Sequence, residues 1–212
     1  MLLFSMKKNS LTYQALQSFF GKNCDELRRV GHVVVDVQRV FCDPNYSGYG
    51  STMGNEETDR IAGRLADVVV PSLRIAVAKT FFVGMYGRYR TEEGTAPYRV
   101  SHVDRDVLVE KNETSAFKGG KIEETLIEHN VSKLIFSGVN AGHCVLSTLL
   151  DADSKGFEVC VLSDCVGTGD KIEEPWTPDA LRIMNENNIP TFDSGDALSY
   201  IAQNGIPEVL LP

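Results

Sequence analysis

The sequence predicts an α/β protein in which a parallel sheet carries helices on both faces. Short β-branched runs alternate with segments whose apolar residues recur every three or four positions, which is the pattern of βαβ units. The β-branched runs are nearly continuously apolar, as in strands that are buried on both faces. An apolar content of 42% and a charged content of 24% in 212 residues are ordinary for a globular chain with a substantial core.

Five segments are predicted to be strands, namely 32–37, 74–82, 106–111, 133–139 and 157–164. Three segments between them have helical periodicity, namely 56–73, 120–130 and 143–155. In the second of these helices, we expect Ile122, Leu126 and Ile127 to form the buried stripe and Asn130 to end the helix.

Further helices are expected on either side of this series. One covers residues 11–20, one begins with Thr177 as its cap and Pro178 in its first turn, and the last covers 194–203. Because no repeat or flexible linker divides the chain, we predict a single domain over residues 1–212, with 1–30 as an N-terminal helical extension.

The composition of the chain indicates which kinds of molecule it can bind. A net charge of −8 without basic clusters argues against a nucleic-acid surface, so we expect small-molecule partners. No apolar stretch approaches the roughly 20 residues that span a bilayer, and we expect no membrane association. The five cysteines are odd in number and form no CxxC pair, which favours a reduced compartment over a zinc or redox centre. We predict a cytoplasmic location.

Three chemically suited side chains fall at the carboxyl ends of predicted strands, where ligands of such sheets gather: Asp36, Lys111 and Cys144. A thiol at a helix N-terminus with a lysine nearby is favoured as the nucleophilic thiolate, and Asp36 could take or deliver its proton. Gly142 would allow a tight turn before free amides that could hold an oxyanion. Each residue alone also fits an ordinary structural role; their convergence at one sheet edge predicts a nucleophilic site.

Four stretches resemble the isochorismatase-like cysteine hydrolases, a family that includes nicotinamidases and other small-amide hydrolases. They are VVVDVQRVF (33–41), DVLVEKNETSAF (106–117), LIFSGVNAGHCVLSTLLDADSKGFEVCVLSDC (134–165) and, more weakly, PDALRIM (178–184). The resemblance implies that Asp36, Lys111 and Cys144 are the catalytic triad. It also implies a cis peptide between Val139 and Asn140, an oxyanion hole formed by the amides of Asn140 and Cys144, and a six-stranded Rossmann-like sheet in the order 3-2-1-4-5-6.

The same resemblance places four residues at the substrate pocket. Gln38 and Phe41 border the pocket in relatives, although both also fit ordinary core and turn positions. Asn140 and His143 flank the nucleophile. A dyad between His143 and Cys144 is not expected, because adjacent helical residues point about 100 degrees apart.

Nicotinamidases carry a histidine-rich metal site after the second strand, but this chain has no histidine in residues 80–100. We therefore predict no metal and no cofactor. The arginines and tyrosines of that loop could grip an anionic or planar substrate, or belong to a solvated loop or a subunit contact; they are Tyr86, Arg88, Tyr89, Arg90, Tyr98 and Arg99. We also expect a homo-oligomer, either a dimer or a tetramer.

The predicted function is hydrolysis of a carbon-nitrogen bond, amide or ureido, in a small molecule through a thioester on Cys144. Two alternatives stay open. One is vinyl-ether hydrolysis of the isochorismatase type, which needs chiefly acid catalysis by Asp36. The other is a small-molecule or protein-binding relative that has kept the fold and lost turnover.

Overall fold

A computed structural model describes residues 10–48, 53–85, 92–119, 121–170 and 175–204. Its centre is an all-parallel sheet of six strands: β1 (Val30–Val35), β2 (Lys79–Gly84), β3 (Val107–Glu110), β4 (Lys133–Val139), β5 (Glu158–Gly167) and β6 (Thr191–Phe192). Their order across the sheet is β3-β2-β1-β4-β5-β6, so the predicted fold class and strand order are confirmed. The order reverses between β1 and β4, which opens a crevice at the carboxyl ends of these two strands.

Helices cover both faces of this sheet. They are α1 (Leu11–Phe20), α2 (Cys24–Leu27), α3 (Arg39–Cys42), α4 (Glu56–Arg64), α5 (Val70–Ala76), α6 (Glu92–Thr95), α7 (Ile122–Glu128), α8 (Leu146–Ser154), α9 (Thr177–Glu186) and α10 (Ser194–Asn204). Two π-helical turns, Leu65–Val69 and Ala141–Val145, lead into α5 and α8. Within the described ranges, no helix is both long enough and apolar enough to cross a membrane.

Each face of the sheet has its own hydrophobic core. Along β1, Val30 and Val34 pack into the core under α1, α4, α5 and α10. Val33 and Val35 pack into the opposite core under α7, α8 and α9. Because successive strand residues point to opposite faces, a strand that is covered on both sides must be apolar throughout. This geometry explains the continuous apolar runs of the sequence.

The N-terminal helix α1 has the predicted bounds. Its cap is Ser10, whose hydroxyl accepts a hydrogen bond from the amide of Tyr13 at 3.1 Å. Tyr13 packs edge-on against Tyr200 of α10, with ring centroids 5.0 Å apart, and Phe19 and Phe20 are buried beside Phe192. The N-terminal segment is therefore bound to the core by aromatic contacts.

Several predicted boundaries and positions are wrong. The predicted strand 74–82 begins only at Lys79, because Arg74 and the two residues after it form the last turn of α5; a short apolar run fits either structure when its length does not decide. Ile127 is 66% exposed, so the buried stripe of α7 consists of Ile122 and Leu126. The cap of α9 is Trp176, and Thr177 is the first helical residue. Strand β6, with two residues, was not predicted from the pattern.

Candidate active site

Asp36 leaves β1 in a left-handed backbone conformation. Its φ is +50°, and its amide donates to the carbonyl of Val83 in β2 at 2.8 Å. Aspartate tolerates this conformation better than most residues, because its short polar side chain crowds the backbone less. The bond to Val83 fixes Asp36 at the end of the sheet, and its side chain is 1% exposed.

Lys111 follows β3 and reaches across the end of β2 toward Asp36. Its amide donates to the carbonyl of Gly84 at 3.0 Å, and its side chain is completely buried. The ammonium Nζ lies 2.8 Å from Oδ2 of Asp36. Neighbouring strands are separated by about 4.8 Å, so a long side chain is needed to cross two of these intervals. The carbonyls of Glu113 and Thr114 accept from the same Nζ at 3.3 and 3.4 Å.

Cys144 belongs to the π-helical turn that follows β4. Its Sγ accepts a hydrogen bond from Nζ of Lys111 at 3.4 Å, which completes the contact among the three residues predicted to be the triad. Cys144 is partly exposed, whereas Cys42, Cys160 and Cys165 are buried. The exposed Cys24 lies in α2, outside this group. Among the described cysteines, Cys144 thus combines solvent access with a charged partner.

The electrostatics keep the thiol of Cys144 protonated at rest. Burial, reinforced by the carboxylate of Asp36, raises the pKa of Cys144 to about 12, and the ammonium of Lys111 opposes this only in part. The ammonium has this limited effect because its charge is already paired with a closer carboxylate. Burial would lower the pKa of Lys111, but the attraction of Asp36 and Cys144 outweighs it and raises that pKa.

Asp36 is suited to accept a proton. Burial raises its pKa, although Lys111 and Cys144 act in the opposite direction. Oδ2 of Asp36 lies 2.8 Å from Nζ of Lys111, so the two side chains form a buried ion pair. A buried carboxylate with a raised pKa is a general base that becomes a usable acid once protonated.

The backbone beside Cys144 has two close approaches that require glycine. The peptide between Val139 and Asn140 is cis, as the resemblance implies. Gly138 has φ +115°, and a Cβ there would lie 2.1 Å from the carbonyl oxygen of Val35. At Gly142, a Cβ would lie 1.9 Å from the carbonyl oxygen of Pro175. Close contact with the chain before α9, rather than the expected tight turn, therefore explains Gly142.

The model of the Isochorismatase domain family matches residues 30–189, which hold all three of these side chains. The chain belongs to the isochorismatase family. Proteins similar to this chain include one called a cysteine hydrolase and two called amidases.

Known proteins similar to this isochorismatase-family chain include amidases. N-carbamoylsarcosine amidase of an Arthrobacter species is 36% identical over 69 residues, which are 32% of this chain and 26% of that enzyme; the match thus spans about a quarter of the relative. A cysteine hydrolase from Pseudomonas syringae pv. phaseolicola 1448A has a TM-score of 0.71 at 16% identity, covering 83% of this chain and 93% of that one. N-carbamoylsarcosine amidase from Thermoplasma acidophilum has a TM-score of 0.64 at 18% identity, covering 78% of this chain and 96% of that one. The two solved structures support the fold.

The four residues predicted to bind substrate lie in different settings. The side chain of Gln38 makes two hydrogen bonds: its Nε2 donates to the backbone carbonyl of Thr95 at 2.8 Å, and its Oε1 accepts from the backbone amide of Met85 at 3.0 Å. Gln38 therefore joins the end of β2 to α6. Phe41 is buried in the core. Contact with substrate stays a prediction for both.

The other two predicted substrate residues flank the nucleophile. The side-chain oxygen of Asn140 accepts from the amide of Gly169 at 2.8 Å and so holds the loop after β5 against the end of β4. His143 is partly exposed and directly precedes Cys144 in the π-helical turn. A role in binding substrate stays a prediction for Asn140 and His143.

The arginine- and tyrosine-rich loop is described only in part. Tyr86, Arg88, Tyr89 and Arg90 lie outside the described residues. Arg99 forms a bidentate pair with Asp59 of α4 at 2.8 and 2.9 Å, and the hydroxyl of Tyr98 donates to the same carboxylate at 2.8 Å. These last two side chains therefore bind the chain to α4.

The metal site of nicotinamidases does not fit this isochorismatase-family member. Residues 80–100 contain no histidine, so the ligands that the resemblance would require are missing from the sequence itself. Across the residues that the structure describes, no group of three or more His, Cys, Asp or Glu side chains is arranged to hold a metal ion.

Sequence reasoning missed Thr148, which contacts the backbone of the nucleophile. Its hydroxyl donates to the carbonyl of Cys144 at 2.6 Å and accepts from the amide of Ala116 at 3.2 Å. The only signal in the sequence is its spacing of four residues from Cys144, which places both on one helical face.

Proposed function

We propose that this isochorismatase-family protein is a cysteine hydrolase that cleaves a carbon-nitrogen bond in a small amide or ureido compound. The observation that carries the proposal is the position of the Lys111 ammonium, 2.8 Å from Oδ2 of Asp36 and 3.4 Å from Sγ of Cys144, at the carboxyl edge of the sheet. The arrangement gathers a base and a nucleophile around one cation.

In the first half-reaction, Sγ of Cys144 attacks the substrate carbonyl as its proton moves to Asp36. A carbon-sulfur bond forms, and the π electron pair moves onto the carbonyl oxygen. Collapse of this tetrahedral intermediate breaks the carbon-nitrogen bond, and the leaving nitrogen takes the proton back from Asp36. The raised pKa of Asp36 suits both transfers, because the carboxyl must hold the proton between them.

Lys111 stays charged throughout and stabilises whichever neighbour is anionic. It balances the carboxylate before attack and the developing thiolate during attack. We assign the oxyanion to the backbone amides of Asn140 and Cys144, as the family resemblance implies. In the second half-reaction, Asp36 deprotonates a water molecule that attacks the thioester, and the acid product leaves as the thiol is restored.

The ureido class is the first to test, because the identity of 36% over 69 residues is to an N-carbamoylsarcosine amidase. Purified protein would be incubated with simple amides and with N-carbamoyl amino acids, and ammonia release would be measured for wild type and Cys144→Ser. We expect turnover by wild type alone, with the acyl group found on Cys144 by mass spectrometry. Ammonia release by Cys144→Ser at the wild-type rate, or an adduct on another residue, would contradict the mechanism.

Vinyl-ether hydrolysis is the second candidate, and the raised pKa of Asp36 favours it, because a protonated carboxyl is the acid that this reaction needs. The thiol would then be dispensable. Isochorismate turnover that survives Cys144→Ser, with no amide cleaved by wild type, would reverse the ranking. A binding-only relative would turn over neither substrate. A single domain over 1–212, a homo-oligomer and a cytoplasmic location accompany the proposal as predictions.

A further inference from the structure

The hydroxyl of Thr148 joins two segments that are distant in sequence. Thr148 is fully buried in α8. A hydroxyl has one proton to donate, and here it goes to the carbonyl of Cys144 at 2.6 Å, which leaves a lone pair for the amide of Ala116 at 3.2 Å. The polarity of both hydrogen bonds is therefore fixed, and a side chain without a hydroxyl can make neither.

The bond to Cys144 orients the nucleophile. Cys144 lies in the π-helical turn Ala141–Val145, just before the backbone enters α8. A threonine that bonds the carbonyl four residues earlier is common in helices and often bends them. Here the bonded carbonyl belongs to the nucleophile, so the bond constrains the peptide plane that sets the direction of the Cys144 side chain.

The bond to Ala116 orients the lysine. Ala116 directly follows the loop in which the carbonyls of Glu113 and Thr114 accept from Nζ of Lys111. That loop encloses the ammonium, and its end is attached to α8 through Thr148. The contacts therefore form a closed ring, which runs from Cys144 to Thr148, along the loop to Lys111, and back to Sγ at 3.4 Å.

We propose that Thr148 is a positioning residue that holds the Cys144 thiol and the Lys111 ammonium at their working separation. Its effect on turnover rests on the proposed function, whereas its effect on the reactivity of the thiol does not. Without the hydroxyl, the loop and the first turn of α8 can separate, and the lysine then stabilises the thiolate less.

Thr125 provides a matched control. Its hydroxyl donates to the carbonyl of Lys121, four residues earlier in the chain, at 2.8 Å. This is the same local bond that Thr148 makes, but it is solvent-exposed, lies in the middle of α7 and involves no carbonyl of a triad residue. Thr125→Val removes a helical hydroxyl bond without breaking the ring.

The test compares full-length wild type, Thr148→Val, Thr148→Ser and Thr125→Val. Alkylation of Cys144 by iodoacetamide would be followed by peptide-resolved mass spectrometry at about pH 9, with the exposed Cys24 as internal reference. Because the rate follows the fraction of thiolate, we expect alkylation of Cys144 in Thr148→Val to be slowed roughly tenfold or more relative to Cys24. Thr148→Ser should recover most of the rate, and Thr125→Val should match wild type.

A folded Thr148→Val protein with the wild-type rate of Cys144 alkylation would overturn the proposal. If valine prevents folding, Thr148→Ala is compared with Thr148→Ser by the same measurement, and equal alkylation rates in those two variants would overturn it as well. With any substrate found, Thr148→Val should lower kcat and leave KM unchanged. An alkylation effect without turnover of any substrate would leave the positioning role standing and count against the proposed function alone.

Discussion

Acidification from pH 7 to pH 5 should weaken the fold through one buried histidine. His32 lies inside β1, has no exposed surface, and its Nε2 is 2.8 Å from Oγ of Ser137. Burial, helped by the nearby charge of Arg74, lowers the pKa of His32 from 6.5 to about 3. Between these two values the unfolded chain binds a proton and the folded chain does not, so the stability that is present above pH 6.5 is lost as the pH falls.

The size of the effect follows from the two pKa values. Each pH unit inside the window changes the free energy of unfolding by about 1.4 kcal/mol. Acidification from pH 7 to pH 5 should therefore lower the free energy of unfolding by about 2 kcal/mol through His32. If the native fold lasted to the lower end of the window, the total would approach about 5 kcal/mol. The loss at pH 5 alone is a large fraction of the stability of an ordinary domain.

Urea unfolding at several pH values between pH 7 and pH 5 measures this loss. His32→Gln supplies the control, because glutamine does not titrate and can still hydrogen-bond with Ser137. The free energy of unfolding of the wild type should fall more steeply with acid than that of the variant, by about 2 kcal/mol over the range. Parallel curves for the two proteins would refute a neutral, buried His32 as the source of acid sensitivity.

Four further outcomes are expected. Cys144→Ala should abolish turnover with an unchanged urea midpoint; full activity in that variant would exclude covalent catalysis at this thiol. Exhaustive chelation should leave activity intact, and a stoichiometric metal whose removal stops turnover would show that a metal site had been missed. Lys111→Met should cost roughly 3–5 kcal/mol of unfolding free energy, because it leaves a carboxylate buried without its cation; a loss below about 1 kcal/mol in urea unfolding would mean that the pair is not buried. Gly142→Ala should lower the free energy of unfolding by about 1–3 kcal/mol, because its Cβ would clash with Pro175. Its control is Gly63→Ala inside α4, where the new Cβ meets nothing closer than 3.8 Å; in the same urea assay this variant should raise the free energy of unfolding by up to about 1 kcal/mol.

The order of helices and strands was predictable, because the alternation of apolar runs with helical periodicity in the sequence corresponds to the βαβ connections of the parallel sheet. The bounds of β4 and α1 match their predictions, since a capping residue or a change in periodicity marks their ends. Strand β2 was misplaced because residues 74–78 are as apolar as a strand, and only tertiary packing extends α5 over part of them. The two residues of β6 are too few to produce a period.

At the site, sequence reasoning predicted that three side chains would converge, but it did not give all of their electrostatics. Asp36, Lys111 and Cys144 meet because parallel strands end at a common edge, which local pattern can predict. That Lys111 lies closer to Asp36 than to Cys144 could not be predicted, because it depends on distances in the folded chain. The link through Thr148 joins segments 32 residues apart and was invisible for the same reason.

The Lys111 ammonium, beside both Asp36 and Cys144, brings the net charge of the pocket to zero on both sides of the proposed proton transfer. Before the transfer the pocket holds a carboxylate, an ammonium and a thiol, and afterwards it holds a carboxyl, an ammonium and a thiolate. Its net charge is zero in both states, so no ion has to enter or leave during the step. Ionic strength should therefore affect the capture of charged substrates by this chain, whose net charge is −8, far more than the chemistry that follows.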